Sequence, residues 1–226
     1  MLNSVWDNDP EAYAKLRRCW LNTRRQAYIS KSLEKLGTGE IVLEVGSGTG
    51  NLLIELASAA PHLSFVGVDP LASYVEYAQK QASLHSLNNV KFYTSGGEEV
   101  NKIITQTCRL ILSNDVIHHV ADESLLSKAL SAISNSDTEW IAIEPNCLNP
   151  YTFYRQASGA GEKNFYPGNF LNKACEWECH SKEHIFLIPP FIKEPSPILK
   201  AIEQKLEWIP FIAGGIVLRL KKKSIL

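Results

Sequence analysis

Residues 41–50 read Ile-Val-Leu-Glu-Val-Gly-Ser-Gly-Thr-Gly, an apolar run followed by three glycines at alternate positions. The apolar run is short and bounded by glycine, which predicts a buried strand over 41–43. Apolar residues then recur with helical spacing, at 52, 53, 56 and 57, so the glycines stand between a strand and a helix. Glycine lets the backbone turn tightly there and leaves no Cβ between the chain and a ligand.

Short apolar strands and helices continue to alternate along the chain. Strands are predicted at 63–68, 90–93, 110–113 and 140–143, and helices at 71–85, 98–106 and 124–134. A further strand, helix and strand are predicted at 177–188, 196–207 and 212–220. This alternation predicts an α/β fold with a doubly wound, mostly parallel sheet covered by helices on both faces.

Composition excludes several classes of protein. The 226 residues carry 23 Lys+Arg against 24 Asp+Glu, so the broad basic surface of a dedicated nucleic-acid binder is not expected. No apolar run is long enough to span a membrane, and the N-terminus has no signal-peptide pattern, which predicts a cytoplasmic protein. Five scattered cysteines predict reduced thiols and no metal site.

The glycine spacing argues against two common phosphate-binding loops. A dinucleotide fingerprint needs its third glycine where Asn51 stands, which disfavours an NAD-linked reductase. A Walker loop needs a Gly-Lys-Ser/Thr sequence, and no lysine is present in this loop.

Three motifs in order carry a family resemblance. They are Glu44 with the glycines of 46–50, Asp69 at the end of the second strand, 19 residues beyond Gly50, and the segment 114–120 after the fourth strand. Over about residues 40–147 this order resembles the class I S-adenosylmethionine-dependent methyltransferases. The resemblance implies a Rossmann-like sheet of seven strands with an antiparallel C-terminal strand, and S-adenosyl-L-methionine as cofactor.

The resemblance also implies roles for individual residues. Gly46, Gly48 and Gly50 would line the methionyl part of the cofactor, Glu44 would hold its amino group and Asp69 its ribose. The other expected cofactor residues are Ser47, Pro70, Ser95, Gly96, Gly97, Asn114 and Asp115. The family often has an aspartate where Gly96 stands, so adenine recognition is assigned to Ser95 or to the backbone of Gly96 and Gly97.

The chain is expected to form a single domain, 1–226, in four parts. Residues 1–38 form an N-terminal helical lid, with one helix expected from Pro10 to about Leu36 behind the capping residue Asp9. Residues 39–146 are the cofactor-binding core, 147–176 an acceptor-loop insertion and 177–226 the C-terminal strands and helix.

His118 and His119 are the catalytic candidates. They follow the fourth strand, where a histidine that titrates near neutral pH can take a proton from a hydroxyl, phenol or acidic carbon. His119 is preferred as the general base. The other interpretation gives both rings a packing or orienting role.

Polar residues after the fifth strand are the candidates for binding the acceptor: Asn146, Asn149, Tyr151, Tyr154 and Arg155. The loop 159–169 would close over the acceptor, with Phe165 and Tyr166 excluding water. The other interpretation is a rigid turn into a helix.

Arginines and lysines spaced seven apart in the first helix, Arg17, Arg24 and Lys31, predict a solvated face. The alternative is a basic lip that recruits an anionic acceptor.

Together these features predict transfer of a methyl group to an O, N or C atom of a small molecule. The alternatives are a non-catalytic nucleoside-binding or scaffolding module with this fold, and a methyltransferase acting on protein or RNA. The last is disfavoured because residues 146–149 are not an Asn-Pro-Pro-Tyr-type tetrapeptide. The sequence leaves a homodimer open.

Overall fold

The structure, a computed structural model, describes residues 9–158, 163–189 and 191–224. Its centre is a seven-stranded sheet in the order β3-β2-β1-β4-β5-β7-β6. β7 is antiparallel to both β5 and β6, and the other neighbouring pairs are parallel. The strands are β1 (Ile41–Val45), β2 (Ser64–Asp69), β3 (Val90–Thr94), β4 (Cys108–Asn114), β5 (Glu139–Pro145), β6 (Trp177–Ile185) and β7 (Gly215–Lys222). The predicted fold class is confirmed, including the antiparallel C-terminal strand.

The α-helices are α1 (Pro10–Arg17), α2 (Trp20–Leu33), α3 (Asn51–Ala59), α4 (Ala72–Leu84), α5 (Glu123–Ala132), α6 (Pro150–Ser158), α7 (Pro167–Lys173) and α8 (Pro197–Leu206). Two short 3₁₀ helices, Gly97–Lys102 and Ile117–His119, follow β3 and β4. The helix predicted over 98–106 is thus present as a 3₁₀ helix that ends four residues earlier than expected. The chain there is a single 3₁₀ segment under α5, with Val100 and Ile104 buried in the core. No helix in the described residues is long and apolar enough to cross a bilayer.

The single N-terminal helix expected from Pro10 to Leu36 is wrong, because the chain breaks between α1 and α2. Cys19 is extended, with φ −145° and ψ 168°. The backbone N–H of Trp20 donates to the carbonyl of Lys193 at 3.2 Å instead of continuing α1. A hydrogen bond to a residue far along the chain therefore ends the first helix.

The predicted solvated face of these helices is wrong for two of its three members. Arg17 makes an ion pair with Asp115, and Arg24 makes one with Glu207 at 2.6 Å, whereas Lys31 is exposed as expected. Both arginines fasten the N-terminal helices to the body of the protein.

Apolar residues fill both faces of the sheet. On one face α2, α3 and α4 pack on β1 and β2, and on the other α5 and α7 pack on β4 and β5. Trp140 of β5 is fully buried and makes edge-to-face contacts with Phe170 and Trp177, at centroid distances of 5.4 and 5.2 Å.

Part of the segment 147–176 belongs to this core. Phe165, expected to close over an acceptor, is only 3% exposed and packs against Phe170, with ring centroids 5.8 Å apart. That expectation is wrong for Phe165 because its ring is needed beneath α7. Tyr166 is exposed, and residues 159–162 of the same expected loop lie outside the described residues.

The glycine loop lies at the point where the strand order reverses, between β1 and its neighbours β2 and β4. Gly46, Gly48 and Gly50 all have positive φ angles, of 68°, 52° and 75°. A Cβ on Gly46 would overlap the Cγ2 methyl of Val116. This position therefore requires glycine both because φ is positive and because there is no room for a side chain.

We expect Gly46→Ala to reduce the free energy of unfolding by about 3 kcal/mol, because the strain of a positive φ adds to the overlap with Val116. The matched control is Gly39→Ala. Gly39 has a φ of 80° but open space around it, so only the strain, about 1 kcal/mol, is expected. Urea denaturation of both variants measures the difference, and equal losses would contradict this account of the loop.

Candidate active site

Four acidic residues meet at the carboxyl edge of the parallel strands. Glu44 lies in β1, Asp69 ends β2, Asp115 follows β4 and Glu144 lies near the end of β5. Glu44, Asp69 and Glu144 are buried, and the side chain of Asp115 is about one quarter exposed. A buried carboxylate costs free energy unless donors or cations surround it, so the partners of each group define the site.

Glu44 is incompletely paired. Its Oε1 accepts a hydrogen bond from Asn114 Nδ2 at 3.0 Å, while its buried Oε2 has no partner in the described residues. Burial raises the pKa of Glu44 to about 7, against the opposing effects of Asn114 and of Arg17 and Arg25. Asn114 Oδ1 and Ser47 Oγ are likewise buried without a hydrogen-bond partner. Polar atoms left over on Glu44, Ser47 and Asn114 therefore surround the glycine loop.

Asp69 joins β2 to the glycine loop. Its carboxylate accepts hydrogen bonds from the N–H groups of Gly48, at 2.8 Å, and Leu71, at 3.0 Å. Burial raises the pKa of Asp69, and the two N–H donors oppose that rise. The carbonyl of Asp69 also accepts from the N–H of Ser95, which brings the segment after β3 to the same place.

The remaining residues expected around the cofactor lie beside Asp69 or beneath the loop. Pro70 is exposed directly after Asp69, and Ser95 Oγ donates to the carbonyl of Gly96 at 2.9 Å. Gly97 is buried, where a Cβ would lie 2.6 Å from Val45 Cγ1. The structure thus gathers these positions at the ends of β1, β2 and β3.

α1 covers the glycine loop from outside. The ring of Tyr13 lies beside Gly48 and against Tyr74, with ring centroids 4.9 Å apart. Asn51 Nδ2 donates to the carbonyl of Ala14 at 2.7 Å, which links the start of α3 to α1. The sequence-based expectations included neither contact, although Tyr13 lies within the expected lid.

Asp115 holds both N-terminal helices. It has a left-handed backbone with φ 55°, and its carboxylate accepts from Arg17 Nη1 at 3.3 Å and from Arg25 Nη2. Burial would raise the pKa of Asp115, but the nearby Arg25 and Arg17 outweigh it and hold that pKa well below its usual range. Asp115, expected to touch the cofactor, thus has its carboxylate engaged by two guanidinium groups.

The two candidate histidines differ in their surroundings. His118 is buried, and its Nδ1 lies 2.6 Å from Oε2 of Glu144. The other oxygen of Glu144 accepts from the N–H groups of Val116 and Ile117, which fixes the turn that carries both histidines. His119 is exposed, with its ring 4.0 Å from that of His118. Neither histidine lines the cavity described below, but His118 contacts Glu144, which does, so the described surroundings favour His118 over the preferred His119.

A cavity of about 600 Å³ opens next to these groups. Arg17, Arg25, Asp115 and Glu144 lie in its wall, and most of its surface is apolar. The apolar wall consists of Leu16, Leu21, Ile143, Pro145, Phe186, Leu187, Ile188, Pro189, Phe191 and Ile212. None of residues 44–50 lines this cavity, but Asp115 and Glu144 place it at the same edge of the sheet as the glycine loop. It is the space available there to a second ligand.

The five residues expected to bind the acceptor divide into two groups. Tyr151 and Arg155 of α6 line the cavity, as expected of acceptor contacts, whereas Tyr154 is 72% exposed and lies outside its lining. Asn146 Nδ2 donates to the carbonyls of Pro210 and Ala213, and its Oδ1 accepts from the N–H of Leu148. Hydrogen bonds to the backbone thus use the amide of Asn146, which corrects the expected contact with an acceptor.

Asn149 lines the cavity and also makes hydrogen bonds that hold the backbone around it. Its Nδ2 donates to the carbonyl of Ile212 at 2.6 Å, and its Oδ1 accepts from the N–H of Thr152 at the start of α6. The two asparagines together hold the start of α6 against the loop before β7.

The far wall of the cavity was missed by sequence reasoning. Leu187 and Ile188 donate their backbone N–H groups to Glu203 Oε1, both at 3.0 Å, so a buried carboxylate of α8 holds the chain after β6. Glu203 Oε2 accepts from Trp20 Nε1 at 2.7 Å. A glutamate on an exposed, amphipathic helix carries no local signal of this role.

The described residues contain no cluster of three His, Cys, Asp or Glu side chains that could hold a metal ion.

Comparison with known proteins agrees with this geometry. A family model described as a methyltransferase domain matches residues 36–184, more than half of the chain. A geranyl diphosphate C-methyltransferase from Streptomyces coelicolor, in complex with Mg²⁺, geranyl diphosphate and S-adenosyl-L-homocysteine, has a similar structure. The TM-score is 0.68 at 13% identity, covering 98% of this chain and 88% of the other, which shows a shared fold.

Two curated relatives match at the level of sequence. A probable S-adenosylmethionine-dependent methyltransferase of Saccharomyces cerevisiae is 24% identical over 145 residues, 60% of this chain and 47% of the relative. A tRNA (guanine-N(7)-)-methyltransferase of Mycoplasmopsis agalactiae is 33% identical over 70 residues, 31% of this chain and 34% of the relative. The chain thus spans between a third and a half of the length of these two relatives. The match to the family model, the strand order and the glycine loop together show that the chain belongs to the class I S-adenosylmethionine-dependent methyltransferases.

Proposed function

We propose that this chain transfers a methyl group from S-adenosyl-L-methionine to a small-molecule acceptor held in the cavity beside the glycine loop. The observation that carries this proposal is the cavity itself, about 600 Å³ and mostly apolar, with charged groups confined to part of its wall. Small-molecule sites commonly combine apolar walls with a few polar groups in this way. The S. coelicolor enzyme, whose name states a small-molecule substrate, supports the same class of acceptor.

The residues around the glycine loop fit the cofactor. The unpaired Oε2 of Glu44 suits a cationic amino group, and Asn114 Oδ1 and Ser47 Oγ offer further polar contacts. Asp69 has further lone pairs with which to accept from ribose hydroxyls. When bound there, S-adenosyl-L-methionine supplies an activated methyl group on a sulfonium, ready for in-line displacement.

The chain itself supplies alignment and exclusion of water. Arg17 and Arg25 hold α1 and α2 against Asp115, and Tyr13 lies over the loop, so the N-terminal helices cover the site. Fixing an acceptor within reach of an activated methyl group is worth several kcal/mol of the barrier in favourable cases. The apolar wall reduces access of water as a competing nucleophile.

His118 is assigned to remove the proton from an acceptor whose nucleophilic atom is protonated. The carboxylate of Glu144, itself in the cavity wall, lies against His118 Nδ1 and stabilises the protonated ring. Glu144 thus acts as a positioning residue, in the way that a carboxylate orients a catalytic histidine.

The acceptor is inferred to carry an anionic group on an apolar body. Three arginines, Arg17, Arg25 and Arg155, line the cavity against two acidic residues, Asp115 and Glu144. Arg17 and Arg25 share the carboxylate of Asp115, and Glu144 faces His118, so Arg155 is the cation on which this inference rests. Arg155 is exposed at the cavity, and its guanidinium makes no hydrogen bond within the described residues. The acceptor class is identified by incubating the protein with methyl-labelled cofactor and a panel of candidate acceptors. The panel compares apolar carboxylates and phosphates with matched amines.

For Glu44→Gln we expect affinity for S-adenosyl-L-homocysteine to fall about 10- to 100-fold, the usual value of a hydrogen bond to a charged group. Calorimetric titration measures it. The matched control is Glu40→Gln, directly before the same strand, where Glu40 pairs with Arg109 outside the site. Wild-type affinity in Glu44→Gln would contradict the assignment.

Glu44→Gln is expected to raise the free energy of unfolding of the ligand-free protein, although it weakens ligand binding. Because burial raises the pKa of Glu44 from 4.5 to about 7, the folded state binds more protons than the unfolded state between these values. The free energy of unfolding of the ligand-free protein therefore falls as pH rises through this range. We expect Glu44→Gln to be more stable than the wild type at pH 8, with the difference shrinking toward pH 4.5, as measured by urea denaturation at each pH. A difference that grows toward acid pH would refute this sign.

The two histidines are separated by a pair of variants assayed with the acceptor from the panel. We expect His118→Asn to lower turnover about 100-fold or more, as for loss of a general base, with unchanged affinity for S-adenosyl-L-homocysteine. His119→Asn, at the exposed neighbour, serves as the control and should retain turnover. The reverse ranking would restore His119 as the base.

Arg155→Gln tests the charge of the acceptor. We expect KM for an anionic acceptor to rise about 10-fold or more with little change in kcat, since a charge-assisted hydrogen bond is lost from binding. Arg18→Gln, at an exposed arginine outside the cavity lining, is the matched control. An unchanged KM in Arg155→Gln would exclude this contact.

A further inference from the structure

α8 and the turn that follows it present apolar side chains outward. Ile198, Ile202 and Leu206 are exposed at intervals of four residues, so they form one stripe along the helix. Trp208 and Phe211, each 68% exposed, continue this surface beyond the end of the helix. These five residues are called the apolar strip below.

The acidic residues of this region are turned mostly inward. Glu203 is buried against Trp20, and Glu207 makes a two-pronged contact with Arg24 at 2.6 and 2.8 Å. Glu194 is the third acidic residue between 187 and 211, and it is exposed. The carboxylates of Glu203 and Glu207 are thus largely withdrawn from solvent and share one cation, Arg24, which lies 3.6 Å from Glu203 and 2.6 Å from Glu207.

Three lysines border the apolar strip on its solvent side. Lys205 is exposed on the same side of α8 as Ile198, and Lys193 is exposed in the loop before the helix. Lys200 lies on the flank, with its Nζ 4.4 Å from the centre of the Trp20 ring. An apolar helix face with a tryptophan at its end and lysines beside it is typical of helices that lie in a membrane interface.

The apolar strip leads along the chain into the wall of the cavity. Ile212, which lines the cavity, follows Phe211 directly. Phe191, before α8 in sequence, both lines the cavity and is 69% exposed. Residues of the strip and of the cavity wall are therefore neighbours in sequence at both ends of this region.

From this combination we propose that the apolar strip docks the protein onto an anionic lipid bilayer, with α8 lying in the interface and the cavity facing the lipid. The lysines supply the attraction to anionic headgroups, and the five side chains supply the buried apolar area. A two-fold pairing of two copies through the same face is disfavoured, because it brings the lysines of both copies together while Glu203 and Glu207 stay inside. Docking of this kind does not depend on the proposed reaction, whereas delivery of an amphiphilic acceptor to the cavity rests on it.

Co-sedimentation with large unilamellar vesicles tests the proposal. The wild-type chain is expected to bind vesicles of phosphatidylglycerol and phosphatidylcholine, to bind pure phosphatidylcholine much more weakly, and to lose affinity as salt is raised. The variant Ile198→Glu/Trp208→Glu is expected to lose at least about tenfold in vesicle affinity, because two apolar anchors become charged. The matched control, Leu84→Glu/Leu125→Glu, changes two exposed leucines, 67% and 52% exposed, on α4 and α5, and is expected to bind like the wild type.

A second variant, in which two lysines become glutamates, tests the proposal even if Ile198→Glu/Trp208→Glu fails to fold. Lys193→Glu/Lys205→Glu leaves the five residues of the apolar strip in place. It is expected to lower vesicle affinity at least about 25-fold, roughly fivefold for each positive charge lost, with repulsion of the two added carboxylates in addition. Affinity for S-adenosyl-L-homocysteine, measured for every variant, reports folding and the proposed function separately from docking. Absence of wild-type binding to anionic vesicles, or equal binding by strip, charge and control variants, would overturn the proposal. The proposal would also be overturned if sedimentation velocity showed a dimer that dissociates in Ile198→Glu/Trp208→Glu, because the strip would then join two copies of the chain.

Discussion

The arrangement at the sheet edge follows from one constraint, that buried carboxylates need partners. Two backbone N–H groups surround Asp69, two guanidinium groups surround Asp115, and two N–H groups with His118 surround Glu144. Each of these carboxylates is thereby compensated within the protein. Glu44 alone among the four keeps a buried oxygen without a partner in the described residues. This unpaired oxygen is the basis of the proposal that a cationic ligand group binds at Glu44.

The same charge pairs also build the cavity. Asp115 draws α1 and α2 over the sheet edge through Arg17 and Arg25, and Glu203 draws the chain after β6 in from the opposite side. Apolar side chains then fill the wall between these two anchors. The N-terminal helices contribute Arg17 and Arg25 to the cavity wall and are held there by partly buried ion pairs with Asp115.

The features predicted correctly from sequence were those encoded locally. Glycine spacing, a strand end and an acid such as Asp69 lie within a few residues of one another, and together they led to the sheet and its loop. What failed depended on distant partners. The break before Trp20 depends on Lys193, and Asn146 is held by carbonyls more than 60 residues away. No local pattern encodes such contacts.

The central claim, that the unpaired oxygen of Glu44 receives the amino group of the cofactor, is tested most directly by removing that amino group from the ligand. Calorimetry compares S-adenosyl-L-homocysteine with its analogue lacking the α-amino group, on the wild type and on Glu44→Gln. The account predicts that the analogue binds the wild type about 10-fold or more weakly, and that this difference nearly disappears in Glu44→Gln. Equal binding of both ligands to the wild type would contradict it.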